Sequence, residues 1–127
     1  PPRDFSPNSG FIAAANIGYT THPYPFKRSE PWPPKWEEAF GFAASQYPIV
    51  ATEFGDDAHP GVPGVDPNHY GNQIIGYLEG RGISWVIWVF DPEWGGAKIK
   101  SWNYELTPGG EFFKKAMQGK LEVQARK

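Results

Sequence analysis

The stretch Ile83-Ser84-Trp85-Val86-Ile87-Trp88-Val89-Phe90 constrains this chain more than any other. It is apolar at nearly every position and stops abruptly at Asp91-Pro92. A strand with one face in solvent alternates apolar and polar residues. An unbroken run rich in Val, Ile and Trp, entered from Gly82 and closed by proline, reads instead as a strand covered on both faces. Ile49-Val50-Ala51, between Pro48 and Thr52, repeats the pattern over a shorter length. Strands of this kind belong to parallel sheets, which need crossover helices and right-handed connections.

The intervening segments supply those helices. Trp36, Phe40, Ala43, Ala44 and Tyr47 recur at helical spacing after the stop Pro31-Trp32-Pro33-Pro34; Pro34 suits the first turn, and Pro48 ends the run. Asp66-Pro67 reads as N-cap and first helical position. Tyr70, Ile74, Tyr77 and Leu78 follow on one face, and Gly80 and Gly82 stop the helix. Thr107-Pro108 opens a last helix, with Phe112, Phe113, Ala116 and Met117 inward and Gly119 at its end. A first strand fits near Ala15 to Thr20, before the prolines of THPYPF. The order strand–helix, three times over, predicts an α/β fold of about three βα units with parallel strands. The chain reads as one domain over 1–127, with an N-terminal loop at 1–10, a Gly/Pro/Asp-rich loop at 55–67, a long loop at 91–106 and a C-terminal tail at 119–127.

Bulk composition removes several classes of function. The chain has 127 residues and a net charge of −2, with no basic patch to recruit nucleic acid and no charge run. No apolar stretch reads as a membrane span and none as a signal peptide, and the first residue is Pro1, so the start is that of a processed or trimmed chain. There is no Cys, hence no disulfide and no thiolate metal site. Six Trp and 17% aromatic residues suit either a rich core or a surface that stacks on flat ligands such as sugar rings.

Chemistry-bearing residues collect where the strands end. His22 and Tyr24 follow the first strand, Glu53 the second, and Asp91 and Glu93 the third, with Trp88 inside its end. In parallel α/β folds the C-terminal strand ends share one edge, and ligands bind there. Glu53, placed between a buried strand and Phe54-Gly55, is either at work or capping the amides of the next loop. His22 taken alone reads as a loop histidine with a hydrogen bond. Trp85 and Trp88 are an odd number of residues apart and face opposite sides. Trp32, Trp94 and Trp102 fall in loops, where burial is a weaker explanation for them. Asp56, Asp57, His59 and His69 match no standard metal-ligand spacing, so no metal and no cofactor is expected.

Three segments carry a resemblance. NIGYTTHPYP (16–25) resembles the strand-six segment of family-five glycoside hydrolases, with its His-x-Tyr. PIVATEFG (48–55) is similar to strand seven, and GISWVIWVFDPEW (82–94) to strand eight, in the same order and spacing. The resemblance implies a C-terminal part of a retaining β-1,4-glycanase, folded as a partial (β/α)8 TIM barrel. It makes Glu53 the nucleophile, Tyr24 its hydrogen-bond partner and His22 a contact to sugar or acid/base. Trp88 becomes the floor of the sugar site, with Trp94 and Glu93 beside it. It also implies an oligo- or polysaccharide ligand and an extracellular or periplasmic location. A complete barrel needs about 250 residues. The family's acid/base lies in an Asn-Glu-Pro segment of strand four, and no Asn-Glu pair occurs here. The expectations are inactivity alone, and either pairing with the missing N-terminal barrel portion or self-association. The other reading is a non-catalytic sugar-binding or self-associating partial-barrel module.

Overall fold

The computed structural model describes residues 15–56 and 66–121. The 1–10 loop, most of the 55–67 loop and residues 122–127 of the tail lie outside the described residues. Three parallel strands, β1 (Tyr19–Thr21), β2 (Ile49–Ala51) and β3 (Ser84–Trp85), form one sheet in that order. Thr20 pairs with Val50, and Val50 with Ser84. Helices α1 (Trp32–Ala39), α2 (Pro67–Gly80) and α3 (Pro108–Met117) follow the strands in turn. The fold is α/β, an open three-stranded slice of a (β/α) barrel.

The helices cover one face of the sheet. Ile49 and Ala51 point into a core with Trp32, Trp36, Phe54, Tyr70, Ile74, Leu78 and Phe113, and Tyr19 and Trp85 pack against it. Complete burial of a large apolar side chain stabilises by about 1.5–3 kcal/mol, and Tyr70, Ile74, Ile75 and Leu78 concentrate that gain on one stripe of α2. Period-two alternation sends Thr20, Val50 and Ser84 to the opposite face. There Thr20 and Ser84 are exposed and Val50 is half-buried. The stripe of α2 also meets α3: a Cβ on Gly71 would collide with the Phe112 ring, so the glycine sets how closely the two helices approach.

Caps fix the helix starts. The Asp66 carboxylate accepts from the Asn68 amide at 2.9 Å, and Thr107 Oγ1 accepts from the Gly110 amide at 3.1 Å. No helix among the described residues is long and apolar enough to cross a membrane.

Three elements differ from the sequence reading. β1 is shorter and later than 15–20, because pairing with β2 reaches only Tyr19–Thr21. α1 starts at Trp32: Pro33 and Pro34 occupy its first turn, where no amide donor is needed. Trp32 is therefore buried in the core at 3% exposure instead of standing in a loop. α1 also stops at Ala39, and a 3-10 turn at Gly41–Ala43 carries the chain on toward Tyr47. The run 83–90 is paired as a strand only at Ser84–Trp85, and Val86 and Phe90 are more than half exposed. Beyond Trp85 the Val86 and Trp88 amides donate singly to Ala51 O and Phe54 O, and Val89 pairs instead with Gly96 and Lys98 of the following loop. A long apolar run becomes a two-face-buried strand only with a covering layer on each face, and one layer is present among the described residues.

Candidate functional site

The site assembles at the C-terminal rim of the sheet. Leaving β1, the chain turns through His22-Pro23-Tyr24, closed by a Tyr24 N–H to His22 O hydrogen bond of 3.0 Å. Pro25 then opens a 3-10 turn through Lys27. The Tyr24 ring is buried, stacks on Phe26 with centroids 5.0 Å apart, and has the Lys27 ammonium 5.4 Å from its centroid. These contacts leave the hydroxyl aimed across the rim. It donates to Glu53 Oε1 at 2.8 Å.

Glu53 is held from two sides. Its other oxygen, Oε2, lies 3.7 Å from His22 Nδ1, and both side chains are partly open to solvent. His22 Nε2 lies 3.0 Å from the Thr52 hydroxyl. With the proton on Nδ1 facing the carboxylate, Nε2 accepts from Thr52, and the imidazole is oriented by the residue that follows β2. One carboxylate oxygen is thus anchored by a phenol, and the other stays accessible beside an imidazole. That geometry suits a carboxylate that attacks an electrophile or accepts a proton.

Trp88 joins the same rim through the backbone. Its amide donates to Phe54 O at 2.8 Å, setting it beside the residue after Glu53. The indole N–H donates to Gly95 O at 3.1 Å, and Trp94 meets the ring edge-on with centroids 5.5 Å apart. Trp94 is exposed, and the pair presents an aromatic surface. Glu93 is exposed as well; its amide donates to Asp91 Oδ1 at 2.9 Å in an Asx turn. Neither Asp91 nor Glu93 makes a hydrogen bond or ion pair with Glu53. Among the described residues, no group of three or more His, Asp or Glu is placed to hold a metal. His69 pairs with Glu30 at 3.1 Å, and Asp57 and His59 lie outside the described residues.

Three parts of this site left no legible signal in the sequence. Thr52 orients His22. Tyr70, fully buried on α2, donates its hydroxyl to Pro23 O and pins the turn between His22 and Tyr24 from below. Burial, with Tyr24 adding to it, raises the Tyr70 hydroxyl well above the ordinary phenol range, so it remains a proton donor. Lys98, the one buried charged residue among those described, pairs with Asp56 at 3.1 Å. Helical periodicity predicts that Tyr70 is inward but not what its hydroxyl meets, and Lys98 and Asp56 sit in loops where no period applies.

Comparison with solved structures gives this arrangement its relatives. A β-glucanase from Saccharophagus degradans, solved in native form and in complex with cellotetraose, is 34% identical over 93% of this chain, with a TM-score of 0.78. The match covers 39% of the β-glucanase chain, so this chain spans about two-fifths of that relative. A hyperthermophilic endocellulase from the archaeon Pyrococcus horikoshii is 21% identical over 78% of this chain and 31% of its own, with a TM-score of 0.58, and shares the fold. No family model matches the sequence, and neither does any curated protein.

Proposed function

We propose, from the premise that this chain is built as the C-terminal part of a family-five glycoside hydrolase catalytic domain, that it carries the nucleophile half of a retaining β-glycanase site. Glu53 attacks the anomeric carbon. Tyr24 holds Oε1, and its hydrogen bond shifts as charge leaves the carboxylate in the glycosyl-enzyme intermediate. His22 orients toward the bound sugar, and Trp88, with Trp94 and Glu93 near it, forms the platform under the reacting ring. The observation that carries this reading is the 2.8 Å hydrogen bond from Tyr24 to a half-exposed Glu53 at the rim where Trp88 enters.

Retaining hydrolysis needs a second carboxyl about 5 to 5.5 Å from the first, to protonate the leaving oxygen. Neither Asp91 nor Glu93 is bonded into the Glu53 cluster, and the sequence has no Asn-Glu pair. The 127-residue chain alone is therefore inactive on unactivated glycosides. General-acid assistance is worth about 10²- to 10⁴-fold. Its partner is the N-terminal portion of a barrel, and its substrate is a β-linked glucan or related glycan. Such a polymer is met outside the cytoplasm, and we place the protein there, extracellular or periplasmic. The test is reconstitution: the chain is mixed with a fragment carrying the first five strands of a family-five barrel and assayed on cello-oligosaccharides. Turnover in the mixture that vanishes with Glu53→Gln supports the reading. Hydrolysis of unactivated oligosaccharide by the chain alone would overturn it, because it would require an acid within these residues.

The exposed Trp94 against half-buried Trp88 supports a second reading, a sugar-binding module without catalysis. Indole stacks on sugar CH faces with no acid/base present. A tryptophan fluorescence response to cello-oligosaccharide that persists in Glu53→Gln and disappears in Trp88→Ala marks that property.

A further inference from the structure

The Asp56–Lys98 pair is buried between the segment that follows β2 and the loop that precedes α3. The Lys98 side chain is 5% exposed and that of Asp56 12%. Burying both charges is costly unless each is compensated. Among the described residues Asp56 Oδ1 makes no aligned hydrogen bond, which leaves the ammonium at 3.1 Å as its compensation. The carboxylate oxygens also rest against the first turn of α3. A Cβ on Gly109 would sit 2.9 Å from Oδ1, so glycine there makes room for the carboxylate, and the positive end of the helix dipole favours it.

Both partners of this pair are wired to the site. Asp56 closes the segment Thr52-Glu53-Phe54-Gly55-Asp56. That segment begins at the His22–Thr52 contact, and its Phe54 carbonyl accepts from the Trp88 amide. Lys98 Nζ donates to Gly96 O at 2.7 Å, while the preceding carbonyl, of Gly95, receives the Trp88 indole N–H. The Lys98 amide donates to Val89 O at 2.8 Å, directly after Trp88. One ammonium thus ties the tail of the Glu53 segment to the turn that aims Trp88. The ammonium also lies 5.8 Å from the Phe113 ring centroid, within the core.

We propose that Lys98 and Asp56 are positioning residues that fix Glu53 and Trp88 relative to each other. This rests on the reading of Glu53 and Trp88 as nucleophile and platform, but the geometric part is testable without it. The six Trp indole N–H resonances of the 127-residue chain, labelled with ¹⁵N, report the hydrogen bond of each ring; Trp88→Phe identifies the Trp88 peak. In the double variant Asp56→Asn/Lys98→Met, which leaves no charge buried alone, the Trp88 peak is expected to move toward the position of a free indole and to exchange faster with water. The Trp32 peak, bonded to Arg28 O in the core, stays in place. In the reconstituted barrel, labelling of Glu53 by a 2-fluoro glycoside slows about 10- to 100-fold, the order that a displacement of about 1 Å costs, and Lys98→Arg restores part of it. An unmoved Trp88 peak with unchanged labelling would overturn the proposal. So would a double variant that fails to fold, because the pair would then be holding the fold and not aiming the site. If the parent barrel takes no label, the reading of Glu53 has failed, while the displaced Trp88 peak still supports the positioning role.

Discussion

The two faces of the sheet make an instructive contrast. On the helix side, Ile49, Ala51, Trp36, Tyr70, Ile74 and Phe113 are sealed from water by three helices. On the other side Thr20, Val50, Ser84 and Val86 have no layer over them among the described residues, and Val86 is 55% exposed. The helix side contains what a small α/β unit needs to hold together. The open side is the wall of a larger enclosure, and the Glu53 cluster stands at its rim. Fold and site are therefore unequal: the helical layer closes one face, whereas the Glu53 cluster holds a single carboxylate and the reaction proposed for it uses two.

The largest effects should separate the faces by stability. Phe113→Ala or Tyr70→Ala on the closed face is expected to cost about 3–5 kcal/mol, lost burial plus a cavity, whereas Val86→Ala on the open face should stay within about 0.5 kcal/mol. Urea unfolding at one fixed protein concentration reads both. Equal losses on the two faces would mean that the open face is covered in solution.

Association tests that point next. A short open sheet with no layer over one face among the described residues, and with Val86 exposed on it, favours pairing with another chain. Light scattering is expected to show the chain self-associating, and Val86→Lys should shift it toward monomer with helix content unchanged by circular dichroism. A parent chain that stays monomeric at high concentration would remove the contrast, since the open face would then be stable in water.

The smallest expected effect is on pH dependence, and it belongs to the closed face alone. Burial raises both Tyr70 and Tyr77 above the ordinary phenol value of 10.0, and a hydrogen bond to Glu37 adds to the shift at Tyr77. In the unfolded chain these phenols ionise near that value while in the folded chain they keep their protons. Their contribution is thus fully present below pH 10 and is lost as pH rises beyond it. Tyr77→Phe should flatten the alkaline limb of stability, and Val86→Ala should leave it unchanged. A phenolate absorbance titration of folded chain against chain in urea checks the same shift.

How much of this was legible in the sequence follows the same division. β2 and the caps of α2 and α3 could be read from Pro48, Asp66-Pro67 and Thr107-Pro108, because their signals are local and the closed face enforces them. The resemblance in the three strand-end segments was legible too, and the structural relatives bear out the partial barrel. The extent of β3 was not. Its apolar run encodes burial on both faces, while only Ser84–Trp85 pair as a strand and one face has cover among the described residues. The burial of Trp32 was not legible either, because prolines that form the first turn of a helix have the same local signature as a stop. Within the site, His22, Tyr24, Glu53 and Trp88 stood out by position at strand ends. Thr52, Tyr70 and the Asp56–Lys98 pair act through contacts between loops distant in sequence, which no periodicity announces.

The central claim is that Glu53 is the attacking carboxylate of half a site. A 2,4-dinitrophenyl 2-fluoro glycoside tests it most directly, because its leaving group needs no proton and the fluorine slows breakdown of the covalent intermediate. The reconstituted barrel should gain one glycosyl mass, and peptide mapping by mass spectrometry should find it on Glu53 and lose it in Glu53→Gln. A label on Glu93 or another carboxylate, or labelling that survives Glu53→Gln, would contradict the account.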